Sequence, residues 1–163
     1  MTEPLLDRRG RPLDLTPEAE AVARNLQERF GEMVVFSSGR RGRVEQARAM
    51  AHNVVRGGRQ WIAATYRPSA PSLALQKWVD MHPAVTDVSR LTSGFAAVLA
   101  RFGAAELATL SKHFTGDAFD LEPVPEPSGA VLHAYLSTHP GIRFLDHEGG
   151  LVRWHVQVIR EAS

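Results

Sequence analysis

The chain has 163 residues, enough for one substantial core and short of what two ordinary domains need. Hydrophobic residues make up 44% and charged residues 23%, and the formal net charge is +1, which argues against disorder and against a field that would draw the chain to nucleic acid or a membrane surface. Cysteine is absent, so disulfides, thiolate nucleophiles and thiolate metal sites fall away together, and any metal must be held by His, Asp or Glu.

Residues 1–15 read as an irregular lead-in with no apolar stretch that could serve as a signal peptide. No segment reaches the roughly 18 apolar residues that cross a bilayer. The expectation is synthesis in the cytoplasm, with any extracytoplasmic substrate reached after lysis or by a separate export route. Lys77 and Lys112 are the lysines, and arginine supplies the remaining positive charge, a pattern of coding bias more than of a functional arginine surface.

Thr16-Pro17-Glu18 is a helix start, with a capping hydroxyl and proline at the first helical position, and Gly31 after Phe30 is a stop. Met33 to Phe36 is a short apolar run that predicts a strand ending in Ser37-Ser38-Gly39. Helical periodicity runs from Val44 to about Arg56 and ends at Gly57-Gly58. Residues 61–66 fit strand or helix equally, closed by Pro68 and Pro71. Ser72 to His82 and Asp87 to Phe102 read as helices, punctuated by Pro83 and Gly103. Beyond these, Ala118 to Leu121 reads as a strand, Glu122 to Ser128 as a Pro-rich loop, and Ala130 to Thr138 as a short helix ended by Pro140-Gly141. Two alternating runs, 142–148 and 151–159, flank Gly149-Gly150, a strong hairpin signal. The predicted class is α+β: N-terminal helices, then a small, mostly antiparallel sheet, in a single domain spanning 1–163 with a helical insertion at 47–110.

The chemistry concentrates in Ser111-Lys112-His113-Phe114-Thr115-Gly116-Asp117-Ala118-Phe119-Asp120. A metal site asks for a neutral imidazole and a carboxylate that converge on one point. Gly116 lets the backbone turn tightly between them, and Ala118 is small where bulk would block an ion. On a strand beginning at Ala118, Ala118 and Asp120 point one way while Phe119 and Leu121 point into the core. Along 151–158, alternation puts Val152, Trp154, Val156 and Val158 on the core face and Arg153, His155 and Gln157 on the opposite, solvent-side face. Two imidazoles and one carboxylate with a fourth position open is the donor set of catalytic zinc.

The pattern Ser111-x-His113-x-x-Gly116-x-Ala118-x-Asp120, followed by His155 on a hydrophobic strand, resembles the zinc peptidases of the D-Ala-D-Ala carboxypeptidase, L-Ala-D-Glu endopeptidase and hedgehog-type superfamily. The resemblance implies that His113, Asp120 and His155 are zinc ligands. It also implies a substrate-binding role for Arg41, since Ser38-Gly39-Arg40-Arg41-Gly42 is similar to the family's Ser-Gly-Tyr-Arg-Ser segment with Arg40 in place of the aromatic. Gln46 and Ser111 match further positions of the pattern. The motif-bearing stretches cover about 34–46 and 111–158; the helical region between them is not covered.

Two positions depart from the pattern. Where many relatives carry an acidic general base three residues before the last His, this chain has Val152, and where many carry His two residues before it, this chain has Arg153. The hairpin offers two replacements for the base. With Gly149-Gly150 as a two-residue turn, Asp146 faces Arg153 and becomes the diagonal neighbour of His155, and Glu148 faces Leu151 on the same side. Geometry favours Asp146 as a base, the resemblance favours Glu148, and a turn of odd length would flip both away. The implied activity is a zinc-dependent peptidase cleaving peptidoglycan stem peptides, of the kind used by phage endolysins, with Arg41 and Arg153 holding a substrate carboxylate or an oxyanion. The alternative is a non-catalytic wall-binding or partner-binding module on the same fold.

Overall fold

A computed structural model describes residues 2–160. Among these residues the helices are α1 (Pro17–Phe30), α2 (Arg43–Gly57), α3 (Trp61–Thr65), α4 (Ala70–Met81), α5 (Val88–Leu99), α6 (Ala104–Leu110) and α7 (Ala130–Thr138). The strands are β1 (Phe36–Ser38), β2 (Ala118–Leu121), β3 (Ile142–Glu148) and β4 (Leu151–Val158), in the sheet order β1-β2-β4-β3. The fold is α+β, as the patterning predicts, and the β1–β2 and β2–β4 pairs are antiparallel. No helix among the described residues is long and apolar enough to cross a membrane.

The described residues divide into two compact units, one built on the sheet and one of helices. In the sheet unit, α1 begins where the sequence says it should. Thr16 caps it, its hydroxyl accepting from the Ala19 N–H at 3.4 Å, and Pro17 occupies the first turn, where its missing N–H costs nothing. Ala19, Ala23 and Leu26 form the buried stripe of α1, at the i, i+4, i+7 spacing of one helix face. Ala23 and Leu26 meet Phe36, Phe119, Leu121, Leu132, Leu136, Trp154 and Val156 in one core. Each such large side chain removed from water contributes about 1.5–3 kcal/mol.

Three expectations for this unit are corrected. The first strand starts at Phe36 because residues Gly31–Met33 continue from α1 as a 3-10 turn, and pairing with β2 begins only at Phe36 opposite Leu121. Val152, expected in the core, is 51% exposed. The four residues of β2 pair with positions Trp154 to Gln157, so Val152 lies past the end of its neighbour. His155, expected on a solvent-side face, is buried together with Trp154 and Val156, its ring flanked by Asp120 and Gln157.

The helical unit has its own core, in which Met50, Val54, Trp61, Ile62, Leu75, Val79, Leu91, Phe95 and Leu99 are buried together. Residues 61–65, ambiguous in sequence, are helical and bury Trp61 and Ile62. A helix at Ala104–Leu110 was not expected. Its start is marked by Glu106, whose carboxylate accepts from the Gly103 N–H, and the same device opens α2 through Glu45 and Gly42. The hairpin tip belongs to this unit. Gly149 and Gly150 both have positive φ, 54° and 84°, as a tight β-hairpin turn requires. A Cβ on Gly149 would lie 2.1 Å from the Thr65 hydroxyl and 2.4 Å from the Trp61 Nε1 atom.

Candidate metal centre

Strand pairing sets two of the three predicted ligands. Asp120 stands opposite His155 in the β2–β4 register, and Ser38 stands opposite Asp120 in the β1–β2 register. Partners directly opposite on an antiparallel pair share a sheet face with Cβ atoms about 4.5–5.5 Å apart. The alternation that turns Phe119 and Leu121 into the core therefore turns Asp120 toward His155, as the sequence predicts. His155 Nδ1 lies 3.1 Å from Asp120 Oδ1, and the Ser38 hydroxyl donates to Asp120 Oδ2 at 2.9 Å. The other ring nitrogen of His155, Nε2, lies 3.4 Å from Gln157 Oε1.

His113 comes from a 3-10 turn, Lys112–Phe114, and is 3% exposed. Its backbone is fixed at both ends. The N–H donates to the Ser111 hydroxyl at 3.2 Å, and the carbonyl accepts from the Arg41 N–H at 2.9 Å. Gly116 then reverses the chain with φ of 82°, a conformation an L side chain adopts only under strain. One nitrogen each from His113 and His155 and one oxygen from Asp120 lie within 4.8 Å of one another.

Neutral imidazoles and a carboxylate, largely shielded from water, are a donor set that fits a divalent transition metal. Without an ion, burying these groups together would be expensive, since each polar atom must then find a partner among its neighbours. The residues present therefore fit a metal, and the cluster can hold one.

Asp117 anchors the strand that carries Asp120, a role the sequence reading did not assign. Its carboxylate accepts from the Thr115 hydroxyl at 2.9 Å, the Thr16 hydroxyl at 3.0 Å and the Arg160 guanidinium at 2.6 Å. Burial acts to raise the Asp117 carboxyl, but the hydrogen bonds from Arg160, Thr115 and Thr16 outweigh it and hold the group below the ordinary aspartate value.

The remaining predicted residues fall in different places. Arg41 and Gln46 come together, with Arg41 Nη1 donating to Gln46 Oε1 at 3.2 Å, and the buried Gln46 lies 3.4 Å from the Tyr66 hydroxyl. Arg40 instead reaches the Asp14 carbonyl, and Arg43 binds the carbonyls of Leu99 and Phe102. Ser111 holds the turn at His113. Arg153 Nη1 donates to its neighbour's carbonyl, that of Val152. The Glu148 carbonyl accepts from the Trp61 indole at 3.3 Å.

Asp146, which the two-residue-turn argument made a diagonal neighbour of His155, has its carboxylate engaged by other partners. Its carboxylate binds His133 Nε2 at 2.8 Å and His147 Nδ1 at 3.1 Å. The His133 ring packs edge-on against both Phe144 and Trp154. Hydrogen bonds from His133 and then His147 keep the Asp146 carboxyl below the usual aspartate value.

Ser38 and Gln157 are the contacts that sequence reasoning passed over. Gln157 had a signal, since it lies two residues from His155 on the same strand face. Ser38 had one as the first residue of the Ser38-Gly39-Arg40-Arg41-Gly42 segment, in which only Arg41 was singled out. Comparison with family models, with curated proteins and with solved structures finds no match for this chain.

Proposed function

We propose that the protein is a zinc-dependent peptidase acting on the stem peptides of peptidoglycan. The observation that carries this reading is the buried convergence of His113, Asp120 and His155, at the spacing seen in the resembling peptidases. The same donor set serves non-haem iron, and the ten-residue motif around His113 and Asp120 is what favours zinc. When bound, such an ion supplies Lewis acidity that polarises a carbonyl and lowers the pKa of water.

The chain's own groups divide the remaining work. Glu148, seven residues before His155, takes the proton of the attacking water and returns it to the leaving amine. Arg41 grips the substrate carboxylate with its planar fork, and its link to Gln46 limits the rotamers it can adopt. Asp146 drops out of this scheme, since its carboxylate is committed to His133 and His147.

The test is incubation of the zinc-loaded protein with sacculi of several stem-peptide chemotypes, with new amino termini and free D-alanine both counted. New amino termini without free D-alanine identify an endopeptidase, and release of D-alanine identifies a carboxypeptidase. Sacculus binding with neither product, from protein that carries zinc, would replace this reading with the wall-binding module.

A further inference from the structure

The ligand atoms of a histidine–carboxylate site are not fixed by the ligands themselves. An imidazole has two nitrogens and a carboxylate two oxygens, and the neighbours that occupy one atom of each pair decide which atom remains for an ion. Here both neighbours are visible. Ser38 Oγ donates to Asp120 Oδ2 at 2.9 Å, and Gln157 Oε1 lies 3.4 Å from His155 Nε2. Asp120 Oδ1 and His155 Nδ1 face each other at 3.1 Å. Two donors on one tetrahedral ion with bonds of 2.0–2.1 Å stand about 3.3 Å apart, close to that separation.

We propose that Ser38 and Gln157 are the positioning residues of this centre, with Gln157 accepting a hydrogen bond from the His155 Nε2–H and so reserving Nδ1 for the metal, and Ser38 doing the same for Asp120 by engaging Oδ2. The inference rests on the metal-site reading and deepens it. The register supports the assignment independently of the side-chain distances. Ser38 is the β1 partner of Asp120, and Gln157 is two residues from His155 on its own strand face, so both are delivered to the ligands by the sheet. Gln157 is well suited to the task. Its amide oxygen is an acceptor at every pH, whereas a carboxylate there would add a negative charge next to an anionic ligand.

The experiment measures zinc affinity by competition with a chromogenic chelator, and records long-range proton–nitrogen NMR spectra of the His155 ring with and without zinc. In the wild type, zinc is expected on Nδ1, with Nε2 carrying the proton. Gln157→Leu and Ser38→Ala are each expected to weaken zinc binding 10- to 100-fold, the range typical of outer-shell partners. Ser38→Thr, which keeps the hydroxyl, should recover most of the affinity, and Gln157→Leu should lose the single-tautomer signature at His155. The thermal stability of the metal-free variants shows whether they fold, and Ser38→Thr keeps the test alive if Ser38→Ala does not. Wild-type affinity in Gln157→Leu and Ser38→Ala, or coordination through Nε2, would overturn the positioning roles and leave the metal centre standing. Failure of the wild type to bind zinc at all would remove the metal centre itself, and this inference with it.

Discussion

Asp120 and His155 are register partners on adjacent antiparallel strands, and their side chains meet with Oδ1 3.1 Å from Nδ1. Their approach is a property of the sheet, so it persists as long as β2 and β4 stay paired. His113 is different, because it is supplied by a turn that must be held by its own backbone hydrogen bonds. The centre therefore has a rigid pair and a third donor whose position depends on local turn geometry.

The rigid pair gives the first prediction. Asp120→Asn keeps the size of the side chain and a polar group beside Ser38 and His155, but removes the negative charge that a cation needs. Zinc affinity should fall by more than about 100-fold, beyond the outer-shell range, while the metal-free fold changes little. Elemental mass spectrometry after desalting should find zinc in the wild type and almost none in Asp120→Asn. Retention of stoichiometric zinc would show that Asp120 is not a ligand.

Asp117 predicts a pH dependence. Its carboxyl titrates below the ordinary aspartate value in the folded protein, because Arg160, Thr115 and Thr16 hydrogen bond to its ionised form. In the unfolded chain an aspartate titrates near about 3.9. A group lowered on folding stabilises the protein fully above that unfolded value, and the stabilisation is lost as pH falls through the lower folded value. Asp117→Asn should cost about 2 kcal/mol at pH 7, roughly 5 °C in melting temperature for a chain of this size. The gap between wild type and variant should close as the melting pH is lowered from about 5 to about 2.5. A gap independent of pH would mean that the carboxylate charge contributes nothing.

The legibility of this chain differed with what each feature depends on. The strand Ala118–Leu121 and the helix Ala130–Thr138 match their sequence bounds, because local alternation and flanking Pro and Gly decide them. The grouping of His113, Asp120 and His155 was also legible, since motif spacing and the single-face rule for strands point to the same three residues. What failed depended on partners far along the chain. Val152 has the alternation of a core residue, but its exposure follows from where β2 ends. Asp146 was placed from the hairpin turn alone, and its carboxylate is taken by His133 of α7, which the turn does not specify. Burial of His155 could not be read from its polar neighbours, because it depends on the Asp120 and Gln157 side chains that close around the ring.

Gly116 carries the third prediction. Its φ of 82° is open to glycine and strained for alanine, and a Cβ there would sit 2.6 Å from Arg40 Nη2. Arg40 can swing aside, though only by giving up the Asp14 carbonyl and carboxylate. Gly116→Ala should cost about 1–2 kcal/mol by equilibrium denaturation. Because the turn joins His113 to the strand of Asp120, zinc affinity should weaken in the same variant. Unchanged stability and affinity would show that the turn tolerates other backbone conformations.

The exposed cluster of Asp146 with His133 and His147 is predicted to matter little. Its side chains are 40–57% exposed, and surface ion pairs of this kind contribute about 0–1 kcal/mol. Asp146→Asn should keep its zinc, its activity on sacculi and nearly all its stability. Loss of hydrolysis with zinc retained would return Asp146 to the reaction.

Glu148 completes the set, because with the Asp146 carboxylate bound by His133 and His147 it is the acid left from the two that the hairpin offered as a base. Glu148→Gln keeps the shape and polarity of the side chain and leaves the main-chain carbonyl that binds the Trp61 indole untouched. The turn should therefore survive, and zinc, which does not depend on this residue, should remain bound. A general base is worth about 10²- to 10⁴-fold in rate, so the turnover of stem peptides should fall by that factor with little change in substrate affinity. The measurement is kcat and KM on a soluble stem peptide, made on preparations of matched zinc content. A fall in kcat alone identifies Glu148 as the proton carrier. Full activity in the variant would mean that the proton is moved by a group outside the hairpin, and the search would pass to the residues around Arg41 and Tyr66.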